Sequence, residues 1–136
     1  MLDRDAVICT VGRMVDAVNN GEFGEAISAF GASPTIIEDI APFRWQGPDA
    51  ASSWLAAMGA NAAKLKARAI IMKLGEPLHI NVSGATAYAV FPGTLSMVTA
   101  TGDLLSNGTL TFTLGRGDGR WLIDALVWSG PEPASS

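Results

Sequence analysis

The chain has 136 residues, enough for one domain with a full hydrophobic core. Hydrophobic residues make up 49% and charged residues 16%, a balance that excludes a disordered chain. The formal net charge of −4 argues against nucleic acid as the main partner, because phosphate binding needs a basic surface. One cysteine and one histidine exclude an internal disulfide and are too few for a zinc site, so we predict no metal. No motif resembles a nucleotide site, because the glycines of residues 115–119 lack a following helix and the P-loop lysine, so we predict no cofactor.

The N-terminal region bears on the cell compartment of the protein and on the role of its cysteine. Residues 1–5 lack the basic region and apolar run of a signal peptide, and no later stretch is long enough to span a bilayer. We therefore predict a cytoplasmic protein with no membrane contact. The neighbours Val7, Ile8 and Val11 predict that Cys9 is a buried small hydrophobe rather than a nucleophile.

Three helices are predicted in the first half of the chain. The first covers residues 3–19, where four apolar residues recur at helical spacing: Val7, Val11, Met14 and Val18. A short second helix follows over residues 23–30. The third begins after a Gly-Pro-Asp turn and continues to about Lys66, with many alanines that favour a helix.

The remaining segments are rich in β-branched and aromatic residues and predict strands. A short strand at residues 35–40 and a stub at 43–45 precede the third helix; the later strands are predicted at residues 67–82, 84–100, 103–116 and 120–129. Short glycine-bearing turns join them, which is typical of an antiparallel meander. Helices first and strands afterwards predict an α+β fold.

Two prolines predict the shape of the sheet and the composition predicts the domain limits. Pro77 and Pro92 interrupt predicted strands, so bulges or irregular edges should curve the sheet into a cone. We predict a single domain over residues 1–130 and a flexible tail at 131–136.

The order of these elements resembles that of the nuclear transport factor 2-like superfamily, which has the cystatin-like cone fold. Four local motifs carry the resemblance: AVNNGEF at 17–23, TIIED at 35–39, WQG at 45–47 and GRWLID at 119–124. Within the superfamily the chain is most similar to the ketosteroid isomerase and SnoaL-like branch. The resemblance implies a curved antiparallel sheet, packed against three N-terminal helices, around an apolar pocket.

The same resemblance implies particular site residues. Asp39 falls where isomerases of this branch carry a carboxylate base, and a carboxylate beside apolar groups gains strength as a base. The implied apolar wall consists of Met14, Trp54, Met58, Ala89 and Phe112. Isomerases also carry two donors to the oxyanion, but Met14 and Leu110 stand nearest those places, which argues against steroid isomerase activity.

Two polar residues, Asp39 and His79, each allow two interpretations. Glu38 and Asp39 are adjacent in a strand, so one faces inward and the other outward; Asp39 is either a base in the pocket or a surface carboxylate. His79 is an acid–base candidate as the single histidine, or a half-exposed strand residue. Whether Asp39 and His79 share one cavity does not follow from their spacing.

Two functions remain open from the sequence. The first is a SnoaL-like enzyme or binding protein for a small apolar molecule, with proton transfer, dehydration or hydrolysis as the chemistry. The second is a non-catalytic module that associates through the sheet and whose cavity is filled. The strand with Ala87, Ala89 and Phe91 should turn its alanines inward, which leaves an apolar outer face around Tyr88 and predicts a homodimer.

Overall fold

The computed structural model describes residues 2–130 and 134–135. Its helices are α1 (Asp3–Asn19), α2 (Phe23–Ser28) and α3 (Ala50–Leu65). Its strands are β1 (Phe30–Ile37), β2 (Arg44–Gln46), β3 (Arg68–Leu74), β4 (His79–Ser83), β5 (Thr86–Thr99), β6 (Gly102–Gly117), β7 (Arg120–Ser129) and β8 (Ala134–Ser135). The predicted α+β class is confirmed.

The strands of the described residues form one curved, open sheet. Its order is β2-β1-β7-β6-β5-β3, with β4 also beside β5 and β8 beside β6. All pairs are antiparallel except β1 with β7, which run parallel, an exception to the predicted antiparallel sheet. Of the predicted tail, residues 134–135 pair with β6, and residues 131–133 and 136 lie outside the described residues.

The predicted strand at 67–82 is two strands, and the prolines explain the division. Leu74, the last residue of β3, pairs with Gly93, and β4 begins where His79 pairs with Val90. Pro92 therefore lies where β5 changes partner along this edge, and a residue without an N–H is tolerated there. The predicted irregularity at Pro92 is confirmed.

The first strand begins five residues earlier than predicted, at Phe30. Phe30 pairs with Ile123, and regular pairing resumes only at Thr35 with Ala125. The irregular stretch between them contains Pro34, which has no N–H to donate.

The core lies between the helices and the inner face of the sheet. From α1 it takes Val7, Val11 and Met14, and from β5 and β6 it takes Ala87, Ala89, Phe91, Leu110, Phe112 and Leu114. The alanine side of β5 faces inward as predicted. Cys9 is exposed, contrary to the prediction, because the buried stripe of α1 passes through Val7 and Val11 and leaves Cys9 on another face.

Asn19 joins the end of α1 to the edge of β3. Its amide nitrogen donates to the Met72 carbonyl oxygen at 2.9 Å, and the Met72 N–H donates to Asn19 Oδ1 at 3.0 Å. The side chain thereby takes the place of a neighbouring strand at an edge that would otherwise stay unpaired.

No helix in the described part of the chain is long and apolar enough to cross a membrane.

Candidate active site

The carboxylate that faces inward after β1 is Glu38, not Asp39. Ile36 is fully buried and Ile37 is 41% exposed, so strand alternation places residue 38 on the inner side and residue 39 on the outer side. Glu38 is accordingly half-buried and Asp39 exposed. Of the two interpretations of Asp39, its exposure agrees with the surface carboxylate and not with a base in the pocket, because the buried Ile36 sets which residues of the strand face inward.

Trp54 and a loop contact hold Glu38 in place. The indole Nε1–H of Trp54 donates to Glu38 Oε1 at 3.4 Å, a long hydrogen bond. Trp54 is itself fixed, because it is only 5% exposed and its ring meets that of Phe30 edge to face at a centroid distance of 6.1 Å. The Glu38 N–H donates to the Phe43 carbonyl oxygen at 3.1 Å.

The surroundings of Glu38 change its acid strength. Burial raises the pKa of Glu38 from 4.5 to about 7, because desolvation disfavours the charged form. The hydrogen bond from Trp54 opposes this shift in pKa, and the negative charge of Asp39 adds to it. Near neutral pH, Glu38 can therefore accept or donate a proton.

Trp128 forms a wall on the same inner face. Ile37 pairs with Val127 where β1 and β7 run parallel. Glu38 is the residue after Ile37 and Trp128 is the residue after Val127, so both side chains fall on the same face of the sheet. The indole of Trp128 lies over two paired glycines: a Cβ on Gly93 would be 3.3 Å from its Cζ3, and one on Gly108 would be 2.9 Å from its Cη2. Without these glycines the indole could not lie so close to the sheet.

Partly exposed apolar side chains stand on α3 and on the inner face of the far half of the β5–β6 hairpin, and we name this group of residues the cone mouth. α3 packs mainly on β1, β2 and α2 at one end, and at the other the Ala100 N–H donates to the Leu65 carbonyl oxygen at 3.3 Å. The cone-mouth residues are Met58, Ala62 and Leu65 on α3, and Leu95, Met97 and Leu104 on the inner face of the hairpin; Leu65 is exposed and the others are half-buried.

Of the predicted apolar wall, Met14, Trp54, Ala89 and Phe112 are buried in the packed core, and Met58 is partly buried against it. An open pocket inside the cone stays a prediction.

His79 lies on the other face of the sheet. It pairs with Val90 on β5, so its side chain points away from the face that carries Ala89. It is exposed, its Nε2 lies 2.9 Å from Asn81 Nδ2, and its ring meets Tyr88 edge to face. The structure therefore does not bring His79 together with Glu38.

Sequence patterns missed two residues of the site, Glu38 and Trp128. For Glu38, the apolar residue Ile36 two positions earlier was an available signal, because residues two apart in a strand share a face. The predicted strand limits did not decide whether Ile36 or Ile37 faces the core. For Trp128 the signal was weak, because the pairing of Gly93 with Gly108 is visible only once the strands are in register.

Two surface clefts on the described residues lie away from the cone mouth. The first, between α1 and the β6–β7 turn, has a volume of about 350 Å³. The second lies beside Asn19 and has a volume of about 370 Å³; it is lined by Gly12, Val15, Asp16, Asn19, Ile71, Met72, Lys73 and Leu74.

A curved open sheet with N-terminal helices on its inner face is the architecture of the nuclear transport factor 2-like superfamily. Residues 1–127 match the SnoaL-like domain, so the chain belongs to the SnoaL-like family. A comparison with curated proteins found no match.

Several solved structures are similar to this chain. A candidate scytalone dehydratase from Novosphingobium aromaticivorans has 14% identity and a TM-score of 0.81, over 98% of this chain and 87% of that one. A hexachlorocyclohexane dehydrochlorinase from Novosphingobium barchaimii has 16% identity and a TM-score of 0.79, over 96% and 88%. A protein of unknown function from Mycobacterium tuberculosis has 16% identity and a TM-score of 0.74, over 93% and 70%. At such identities the similarity shows the fold alone.

Proposed function

We propose that this SnoaL-like protein is an enzyme that moves a proton on a small apolar molecule, with Glu38 as the acid–base group. The observation that carries the proposal is the half-buried Glu38, hydrogen-bonded by Trp54 on the inner side of the sheet. Its pKa of about 7 suits proton transfer near neutral pH. This function requires an apolar pocket formed by the cone-mouth residues, and such a pocket would favour an uncharged substrate.

Elimination is the reaction type that the surroundings support best. Enolate chemistry needs donors for an oxyanion, and the places where isomerases of this branch carry them hold the buried Met14 and Leu110. In an elimination the Glu38 carboxylate takes the proton of a C–H bond. That bonding pair forms the new C=C bond, and the leaving group departs with its own pair. Two similar structures are named as a candidate dehydratase and a dehydrochlorinase, and both names describe eliminations.

The test is a screen of apolar alkyl chlorides and alcohols that carry no carbonyl group for formation of a C=C bond, followed by gas chromatography with mass spectrometry. For any compound that turns over, Glu38→Gln should lower kcat about a hundredfold or more, because an amide cannot take the proton. Asp39→Asn is the matched control and should retain most of the activity. Loss of activity in Asp39→Asn with activity kept in Glu38→Gln would overturn the assignment of Glu38.

A second candidate function, association into a homodimer, is supported by the outer face of the sheet. Two adjacent rows of paired residues cross five strands without a charged side chain: Thr35, Ala125, Thr113, Tyr88 and Asn81 in one, and Ile37, Val127, Thr111, Val90 and His79 in the other. Tyr88 is 43% exposed. An uncharged surface of this extent suits a second copy of the same surface.

Sedimentation velocity tests this association. The chain should sediment as a dimer, and Thr111→Glu should convert it to a monomer, because two buried carboxylates would then face each other across the interface. Thr101→Glu, in the exposed β5–β6 turn, is the matched control. A monomeric wild-type chain would contradict this second candidate and leave the role of Glu38 untouched.

A further inference from the structure

The cleft between α1 and the β6–β7 turn is a separate candidate binding site. It is lined by Ala6, Cys9, Thr10, Arg13, Ala29, Gly119, Arg120 and Trp121. Arg120 and Trp128 are eight positions apart on β7, which corresponds to roughly 25 Å along a strand. The cleft therefore lies at the opposite end of the strand from the cone mouth.

The charges of the cleft are of one sign. Arg13 and Arg120 line it and no lining residue is acidic, although the whole chain carries a net charge of −4. Arg13 contacts Glu25 at 3.6 Å, but both side chains are 58% exposed, so this ion pair is weak and easily exchanged for another anion. The ion pairs formed within residues 2–130 do not include Arg120.

The floor of the cleft is apolar and held in place. Trp121 is buried, and the Arg116 guanidinium lies 5.1 Å from the centre of its ring while pairing with Asp3 at 2.7 Å. The Thr10 hydroxyl lies 3.2 Å from both the Ala6 and the Trp121 carbonyl oxygens and donates to this pair of acceptors. The polar groups of the floor are thus satisfied within the protein, and two guanidinium groups remain at the rim.

We propose that this arginine cleft binds a small organic carboxylate with a short apolar body. Guanidinium groups bind carboxylates through charge-assisted hydrogen bonds, which Arg13 and Arg120 can supply. The apolar body would lie against Ala6, Ala29 and Trp121. A volume of about 350 Å³ is at the lower end of small-molecule sites, which favours a ligand of the size of benzoate.

Cys9 makes occupancy of the cleft measurable without knowledge of the natural ligand. The thiol is exposed, lines the cleft and lies one helical turn before Arg13. Its thiolate attacks the methylene carbon of iodoacetamide, iodide leaves, and the thiol proton passes to solvent. Alkylation is followed by intact-protein mass spectrometry. Benzoate should slow it in a saturable manner, whereas benzamide, the uncharged analogue, should not.

Arginine variants show whether benzoate binds in the cleft itself or slows alkylation without binding there. Arg120→Gln should weaken protection by benzoate about tenfold, the loss expected for one charge-assisted hydrogen bond, and Arg13→Gln should act similarly. Arg44→Gln, an exposed arginine on β2, is the matched control and should keep full protection. Far-UV circular dichroism confirms that each variant is folded.

Three results would overturn the proposal. They are equal protection by benzamide, the same slowing by sodium chloride at equal ionic strength, and unchanged protection in folded Arg120→Gln. Since none of these measurements involves the cone mouth, they do not bear on the elimination proposed for Glu38.

Discussion

Glu38 should make the stability of the protein depend on pH. Below pH 4.5 the carboxyl is protonated in both the folded and the unfolded chain. Between pH 4.5 and about 7 the unfolded chain releases the proton while the folded protein retains it. The folded state then binds more protons, so the free energy of unfolding falls as the pH rises, and the fall ends above about pH 7.

The size of the effect follows from the shift in pKa. A rise from 4.5 to about 7 corresponds to about 3 kcal/mol of lost stability on the alkaline side. Glu38→Gln places an uncharged amide at the same position and removes this dependence. Its free energy of unfolding, relative to that of the wild type, should therefore increase by about 3 kcal/mol between acidic and mildly alkaline pH.

Urea denaturation followed by circular dichroism, at a series of pH values, measures this difference. Glu76→Gln, which removes an exposed carboxylate from the loop between β3 and β4, is the matched control. Carbon-detected NMR of the glutamate side chains gives the pKa of Glu38 directly, and Asp39→Asn should lower that pKa by removing a neighbouring negative charge. A constant difference between Glu38→Gln and the wild type across the pH range would refute the reasoning.

Three further variants test the packing around the site. Trp54→Phe removes the indole donor, so the same NMR titration should show a further rise in the carboxyl pKa, and a fall would contradict the hydrogen bond. Asn19→Ala should lower the free energy of unfolding by about 2 kcal/mol, because it leaves two groups of β3 unpaired, while Asn20→Ala should change it little in urea denaturation. Gly93→Ala should displace the indole on β7 and alter near-UV circular dichroism, whereas Gly59→Ala, with open space around it, should stabilise α3 by about 1 kcal/mol. An unchanged spectrum in Gly93→Ala would contradict the close contact.

Local patterns were sufficient to predict much of the fold. The helical stripe through Val7, Val11 and Met14 predicted α1, and alternation along β5 predicted the inward alanines. Both were predictable because an element that is buried on one face has apolar residues at the spacing of that face. An irregular edge at Pro92 was predictable too, since a missing N–H restricts the residue to particular places in a sheet, but the division of residues 67–82 into β3 and β4 was not predicted.

The sequence by itself determined an α+β chain of the SnoaL-like kind with one of two adjacent carboxylates facing inward. Only the tertiary structure decided which one, because the phase of β1 depends on its pairing with β7, and that pairing buries Ile36 and with it turns Glu38 inward. Tertiary structure also placed His79 on the outer face and brought Arg13 and Arg120 to one cleft. Such neighbours are distant in sequence, and local periodicity carries no information about which strands will lie side by side.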